Sequence, residues 1–216
     1  GYENFTYVYA DFSYTINLGD RTKLAFGVDA GATSYKLSDE LYNGVEIGQD
    51  PYFDERLDRW NPNFGAGILL HSDRWFAGFS IPRLINNDTN NQTEYAALER
   101  VHYYVIGGYV FDLGESVKFK PSILAKYTDN APISTDFTAN FLFNEKLWLG
   151  ASYRANGQQG AFGALIDFQV TQQFRIGYTY ELPTGEIRPY TSGSQEILLM
   201  YEFRFTKKNL KSPRYF

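Results

Sequence analysis

The stretch from Gln195 to Phe205 alternates without a break. Ile197, Leu199, Tyr201, Phe203 and Phe205 fall on one side, while Glu196, Glu202 and Arg204 fall on the other with Leu198 and Met200. Period two is the signature of a β-strand, because successive side chains point to opposite faces. One face here is apolar and ends in aromatic rings, and the other carries three charges. A strand of that kind suits a position between lipid and a wet lumen. Few other folds accept it, and the earlier segments obey the same rule.

Taken from the start, strands are expected over Phe5 to Ile16, Thr22 to Thr33, Asn63 to His71 and Trp75 to Ile81. Further strands follow over Glu99 to Asp112, Val117 to Tyr127, Ile133 to Phe143, Leu147 to Arg154, Ala161 to Val170 and Phe174 to Leu182. The sequence thus predicts an all-β chain, a transmembrane antiparallel up-and-down β-barrel with eleven strands visible. Apolar residues make up 44% of the 216, yet they never form the run of about eighteen that a membrane helix needs. Eighteen Tyr and eighteen Phe suit the aromatic girdles of such a barrel. Mean hydropathy is negative, at -0.38, because half of each strand faces away from lipid.

Connections alternate between short and long. Tight turns are expected at Asn17 to Asp20, Ser72 to Arg74, Gly114 to Ser116, Asn144 to Lys146 and Thr171 to Gln173. The longer ones are Ser34 to Trp60, Pro82 to Leu98, Thr128 to Pro132, Ala155 to Gly160 and Pro183 to Ser194. In outer-membrane barrels the short turns face the periplasm and the long loops the exterior. That rule leaves Thr206 to Phe216 as a periplasmic C-terminal tail after a barrel spanning residues 1–205. Bacterial single-chain barrels have even strand numbers, so eleven strands imply an odd number missing before Gly1, and three more would make fourteen. The chain is therefore expected to be a mature or truncated piece of an exported protein.

The charges give few catalytic leads. His71 and His102 have no His or Cys at metal spacing, and no Ser-His-Asp arrangement is legible, so no enzyme chemistry, metal or cofactor is expected. Asp39, Glu40, Glu46, Asp50, Asp54, Glu55 and Asp58 suit Ca²⁺ as ligands but match no defined loop motif, and a solvated acidic surface is the simpler expectation. The absence of Cys fits an oxidising compartment. A net charge of -5 excludes a nucleic-acid partner of the usual basic kind. Inward charges of both signs, among them Asp11, Asp29, Lys126, Asp136, Arg154, Asp167, Arg175, Glu181 and Glu196, predict cross-strand pairing rather than a selectivity ring. Candidate partner contacts are Tyr42, Tyr52, Phe53 and Trp60 in the first long loop and Arg188 and Tyr190 in the last. Lys211, Arg214, Tyr215 and Phe216 are candidates for a docking tail.

Several short segments carry a resemblance. Tyr9-Ala10-Asp11-Phe12-Ser13-Tyr14, Lys23-Leu24-Ala25-Phe26-Gly27, Gly108-Tyr109-Val110-Phe111 with Phe119-Lys120-Pro121-Ser122, and the ending Lys211-Ser212-Pro213-Arg214-Tyr215-Phe216 resemble the PorP/SprF family. Its members are outer-membrane proteins of the type IX secretion system of Gram-negative Bacteroidota. The resemblance implies a non-enzymatic role in exporting or retaining surface proteins such as gliding adhesins, whose C-terminal domain the barrel would hold. Periplasmic or outer-membrane secretion and motility components are implied as further partners, beside outer-membrane lipid. The residues alone leave a passive porin or hydrophobic-solute transporter open as the alternative.

Overall fold

The computed structural model describes residues 3–37, 58–88, 98–157 and 159–203. Almost all of them are strand. The strands are β1 (Glu3–Asn17), β2 (Lys23–Leu37), β3 (Asp58–His71), β4 (Trp75–Ile81), β5 (Asn87–Asp88), β6 (Leu98–Glu99) and β7 (His102–Tyr109). They continue with β8 (Phe111–Asp112), β9 (Val117–Thr128), β10 (Ser134–Phe143), β11 (Leu147–Asn156), β12 (Gln159–Gln169), β13 (Phe174–Pro183) and β14 (Ser194–Tyr201). One antiparallel sheet runs β1-β2-β3-β4-β7-β9-β10-β11-β12-β13-β14, with β8 also on β9, and β5 pairs with β6 apart from it. Apart from the separate β5–β6 pair and the short β8, each strand neighbours the next in sequence, the up-and-down order expected of a barrel wall. β1 and β14 are the two edges of this sheet.

β7 and β8 are one stave with a gap, as the expected strand Glu99 to Asp112 suggested, though the stave itself begins at His102. Gly108 faces Ser122 and Phe111 faces Phe119 in one register, which sets Tyr109 opposite Pro121. Proline has no N–H to give, so the ladder lapses there. Val110 is held instead from the other side, its N–H donating to the Arg74 carbonyl at 2.7 Å.

Two expected boundaries shift. β1 and β2 pair over their full length from Glu3 opposite Leu37 to Asn17 opposite Lys23, so the first long connection starts after Leu37, and β3 reclaims the residues from Asp58 onward. The connection expected over Ala155 to Gly160 shrinks to residues 157–158, since Asn156 pairs with Gln159. Among the short turns, Asn144 and Glu145 both have positive φ, 49° and 56°, and the Lys146 N–H donates to the Phe143 carbonyl at 3.0 Å. That is the type I′ geometry whose twist matches a hairpin.

The apolar face is exposed, as a lipid-facing surface must be in the isolated protein. Phe26, Ile68, Phe79 and Val105 lie in one row across β2, β3, β4 and β7, and all are exposed. Aromatic rings gather at both ends of this face. Near the short turns Tyr109, Phe111, Phe119, Phe141 and Phe143 form a chain of ring contacts, with centroids 4.5 to 6.5 Å apart. Toward the other rim stand Tyr103 with Tyr127 at 5.8 Å and Tyr153 with Phe162 at 4.9 Å. From Phe119 to Tyr127 along β9 is about 27 Å of strand, or about 20 Å of height at a tilt of about 40°. Two girdles flanking an apolar band of that height match a bilayer-spanning wall.

Candidate functional site on the polar face

The other face carries ion pairs that run between strands, one directly opposite and the rest diagonal or longer. Lys126 and Arg154 both reach Asp136, with Nζ and Nε each 2.6 Å from a carboxylate oxygen. Arg154 also extends over β12 to Glu181, Nη1 to Oε1 at 2.9 Å. Only Ala161 and Gly163 stand on the polar face of β12 between them, so the long side chain passes. On β12 and β13 Arg175 donates twice to Asp167 Oδ2, at 2.8 and 3.1 Å. Asp167 is 2% exposed, and its Oδ1 has no protein hydrogen-bond partner. At the short-turn rim Lys118 pairs with Glu145, and Arg74 with Asp112. Several inward charges are therefore joined to opposite ones, as their mixture in the sequence predicted, whereas Asp11 lies directly opposite the like-charged Asp29.

Glycine takes a recurring part in this packing. Tyr9, Asp29, Phe76, Asn140, Ser152 and Asp167 each lie against the glycine directly opposite on the next strand: Gly31, Gly65, Gly108, Gly150, Gly163 and Gly177. A side chain on those glycines would occupy the space the neighbour fills. The side chains of this face thus lie flat along the wall.

Between the ion-pair chain and edge strand β14 lies a groove of about 440 Å³ lined by Asn140, Ser152, Leu165, Thr179, Glu181 and Glu196 among others. Its hydroxyls and carboxylates suit a polar guest. A different surface faces β1. There Phe5 and Tyr7 stack at 6.2 Å with planes 7° apart, and Phe5 meets Tyr35 at 5.0 Å. These rings share the face of Asp11, since they alternate with Val8 and Ala10, and they make one end of the polar face aromatic.

The candidate contact residues are dispersed. Trp60 lies in β3 opposite Ser34 rather than in a loop, 57% exposed on the apolar face at the long-connection rim, so it stands with the aromatic girdle. Arg188 and Tyr190 form a short 3-10 turn on the same rim, and Tyr190 is 88% exposed. The turn is braced from below, because Tyr180 Oη donates to the Ser192 carbonyl at 2.5 Å. Tyr42, Tyr52, Phe53 and the tail residues Lys211, Arg214, Tyr215 and Phe216 lie outside the described residues. His102 donates to the Arg100 carbonyl through Nδ1 at 2.8 Å. Among the described residues no three His, Cys, Asp or Glu side chains come together as a metal site.

An antiparallel wall with a doubly girdled apolar face and a self-paired polar face defines the class: a β-barrel membrane protein. A family model for the type IX secretion system membrane protein PorP/SprF matches residues 1–201, and the chain belongs to that family. No curated protein and no solved structure matches the chain.

Proposed function

We propose that this chain forms most of an outer-membrane barrel that holds the C-terminal domain of a type IX secreted surface protein and helps its export or its retention at the cell. The short turns then face the periplasm and the longer connections the exterior, with the C-terminal tail toward periplasmic secretion or motility components. The observation that carries this reading is the contrast between wall and rim. From β9 to β13 the wall joins Lys126, Asp136, Arg154 and Glu181 to one another, whereas the long-connection rim presents Arg188 and the exposed Tyr190 on a braced turn. Tyrosine and arginine are the residues that most often anchor protein contacts.

The test is to replace residues 38–57 with a short Gly-Ser linker, leaving the paired residues of β2 and β3 intact. The surface protein should be released into the medium while the barrel remains folded and in the membrane. Retention at the wild-type level would remove that loop from the account. Tyr190→Ala with Arg188→Glu tests the second contact in the same way. A passive porin or hydrophobic-solute transporter is the rival reading, favoured by the polar groove of about 440 Å³. It predicts sustained conductance in planar bilayers and no cargo dependence.

A further inference from the structure

The polar groove beside β14 falls on two register rows that cross five staves. One row runs Asn140, Gly150, Leu165, Thr179 and Glu196, and the next toward the long-connection rim runs Thr138, Ser152, Gly163, Glu181 and Ser194. The floor is low because Asn140 reclines on Gly150 and Ser152 on Gly163. On the rim side the Arg154–Glu181 bridge spans β12, with Nη1 and Oε1 2.9 Å apart. The row beyond the groove toward the short turns is apolar at Leu142, Trp148 and Leu198. The space between holds about 440 Å³.

The bonding of this stretch differs from that of the ion-pair chain beside it. Lys126, Asp136, Arg154 and Glu181 satisfy one another. The side chains of Asn140, Ser152, Thr179, Ser194 and Glu196 bond to no protein group among the described residues. The Asn140 amide offers a donor and an acceptor together, as a peptide unit does, and the three hydroxyls can serve as either. Glu196 only accepts, and it stands directly opposite Thr179. Arg154, the one cation in the lining among the described residues, is already shared between Asp136 and Glu181. The Glu196 carboxylate is therefore the charge left uncompensated in the groove.

Shape and charge together define a guest. Asn140 and Glu196 lie four interstrand steps apart, about 19 Å along the sheet. A molecule that reaches both is elongated, rich in paired donors and acceptors along its length, and cationic at the β14 end. An extended peptide of about six residues with a lysine or arginine near one end meets that description. We propose that this groove is a binding site for an extended peptide segment, in which the Asn140 amide and the hydroxyls meet the peptide backbone and Glu196 receives a basic side chain. The inference rests on the polar face alone, whatever protein supplies the segment.

The experiment reads protection of a thiol. The chain has no cysteine, so Thr179→Cys places a reporter beside Glu196 in the full-length protein. Folding is checked by heat-modifiable migration, and the thiol is then modified with methyl methanethiosulfonate in mild detergent at low ionic strength. The probes are capped peptides of serine and alanine of that length, with lysine, glutamate or alanine as the next-to-last residue. The lysine peptide should half-protect the thiol at about a third of the concentration the alanine peptide needs, the effect of one solvent-facing ion pair, and the glutamate peptide should be weaker than both. Glu196→Gln in the same background should remove the difference between lysine and alanine. Asn140→Leu should weaken both alike and leave their ratio intact. Thr15→Cys, on the same face of β1 but outside the groove, should be protected by none of them. If Thr179→Cys does not fold, Ser194→Cys in the neighbouring row reports in its place. Absent or equal protection by the three peptides would overturn the site, as would a lysine preference that survives Glu196→Gln, equal protection at Thr15→Cys, or protection by maltose in place of the peptides. None of these readouts needs a secreted protein, so they stand apart from the test of cargo retention.

Discussion

Gly27 and Gly31 sit four residues apart on the same face of β2, and the wall treats them differently. Substituting alanine at Gly31 would drive Cβ into the Val8 carbonyl and to 2.6 Å from the Tyr9 ring. The carbonyl is backbone and cannot rotate away. The ring is held by its hydroxyl, which lies 3.1 Å from Thr33 Oγ1. Overpacking of this kind costs about 1–3 kcal/mol, and swinging Tyr9 aside would forfeit a hydrogen bond of about 1 kcal/mol. Against that, alanine gains about 0.4–1 kcal/mol through a less flexible unfolded chain. Gly31→Ala should therefore destabilise by about 1.5–2.5 kcal/mol. Gly27→Ala meets nothing within 4 Å and should keep only the gain. The difference of about 2.5 kcal/mol is on the order of 50-fold in the folding equilibrium. Urea unfolding in lipid vesicles, followed by fluorescence of the three tryptophans, measures it. With a slope of about 2 kcal/mol per molar urea, the two midpoints should lie about 1 M apart on opposite sides of the wild type. Coincident midpoints, or a less stable Gly27→Ala, would refute the idea that lumen glycines are seats for their cross-strand neighbours.

Three further outcomes follow from the same wall. A double-mutant cycle of Arg154→Met and Glu181→Gln should show a coupling of about 0.5–1 kcal/mol that shrinks in high salt, because both side chains are about a third exposed; no coupling at low salt would remove the bridge over β12. Glu145→Gly should raise stability by about 1 kcal/mol, since left-handed backbone costs a non-glycine residue more than the half-exposed Glu145 carboxylate returns in its pair with Lys118; a lowered unfolding midpoint would show that pair to be the stronger effect. Pro121→Ala should supply the missing donor opposite Tyr109 and create a slowly exchanging amide at position 121, visible by hydrogen exchange; rapid exchange there would mean that the ladder lapses for another reason.

The eleven staves of the main sheet, their order and the identity of the two faces were legible in the sequence because period-two alternation is local, while the short β5–β6 pair was not. The Phe119 to Tyr127 face and the lysines opposite it needed no tertiary information. Pairing of Asp136, Asp167 and Glu181 with basic partners also followed from the mixed signs, although the like-charged Asp11 and Asp29 face each other. What escaped was set by contacts between strands. Trp60 reads as the end of a polar loop until Ser34 is placed opposite it. Phe5 and Tyr7 fall on the polar face only once the parity of Val8 and Ala10 is carried back to the start of β1. Pro82 to Leu98 reads as a surface loop by composition, and the asparagine-rich run encourages that reading. Its first residues instead prolong the β4 stave along β3, because the Phe64 carbonyl and the Asn63 side chain, about twenty positions earlier, bind them. The signal was present as an asparagine inside an apolar strand two residues before a glycine, but only the register gave it meaning.

The most direct test of the account is purification of the barrel from its native outer membrane in mild detergent, followed by mass spectrometry of what comes with it. The account predicts a large surface protein in stoichiometric amount that is lost when its C-terminal domain is deleted. Recovery of the barrel alone, even after cross-linking in intact cells, would contradict it.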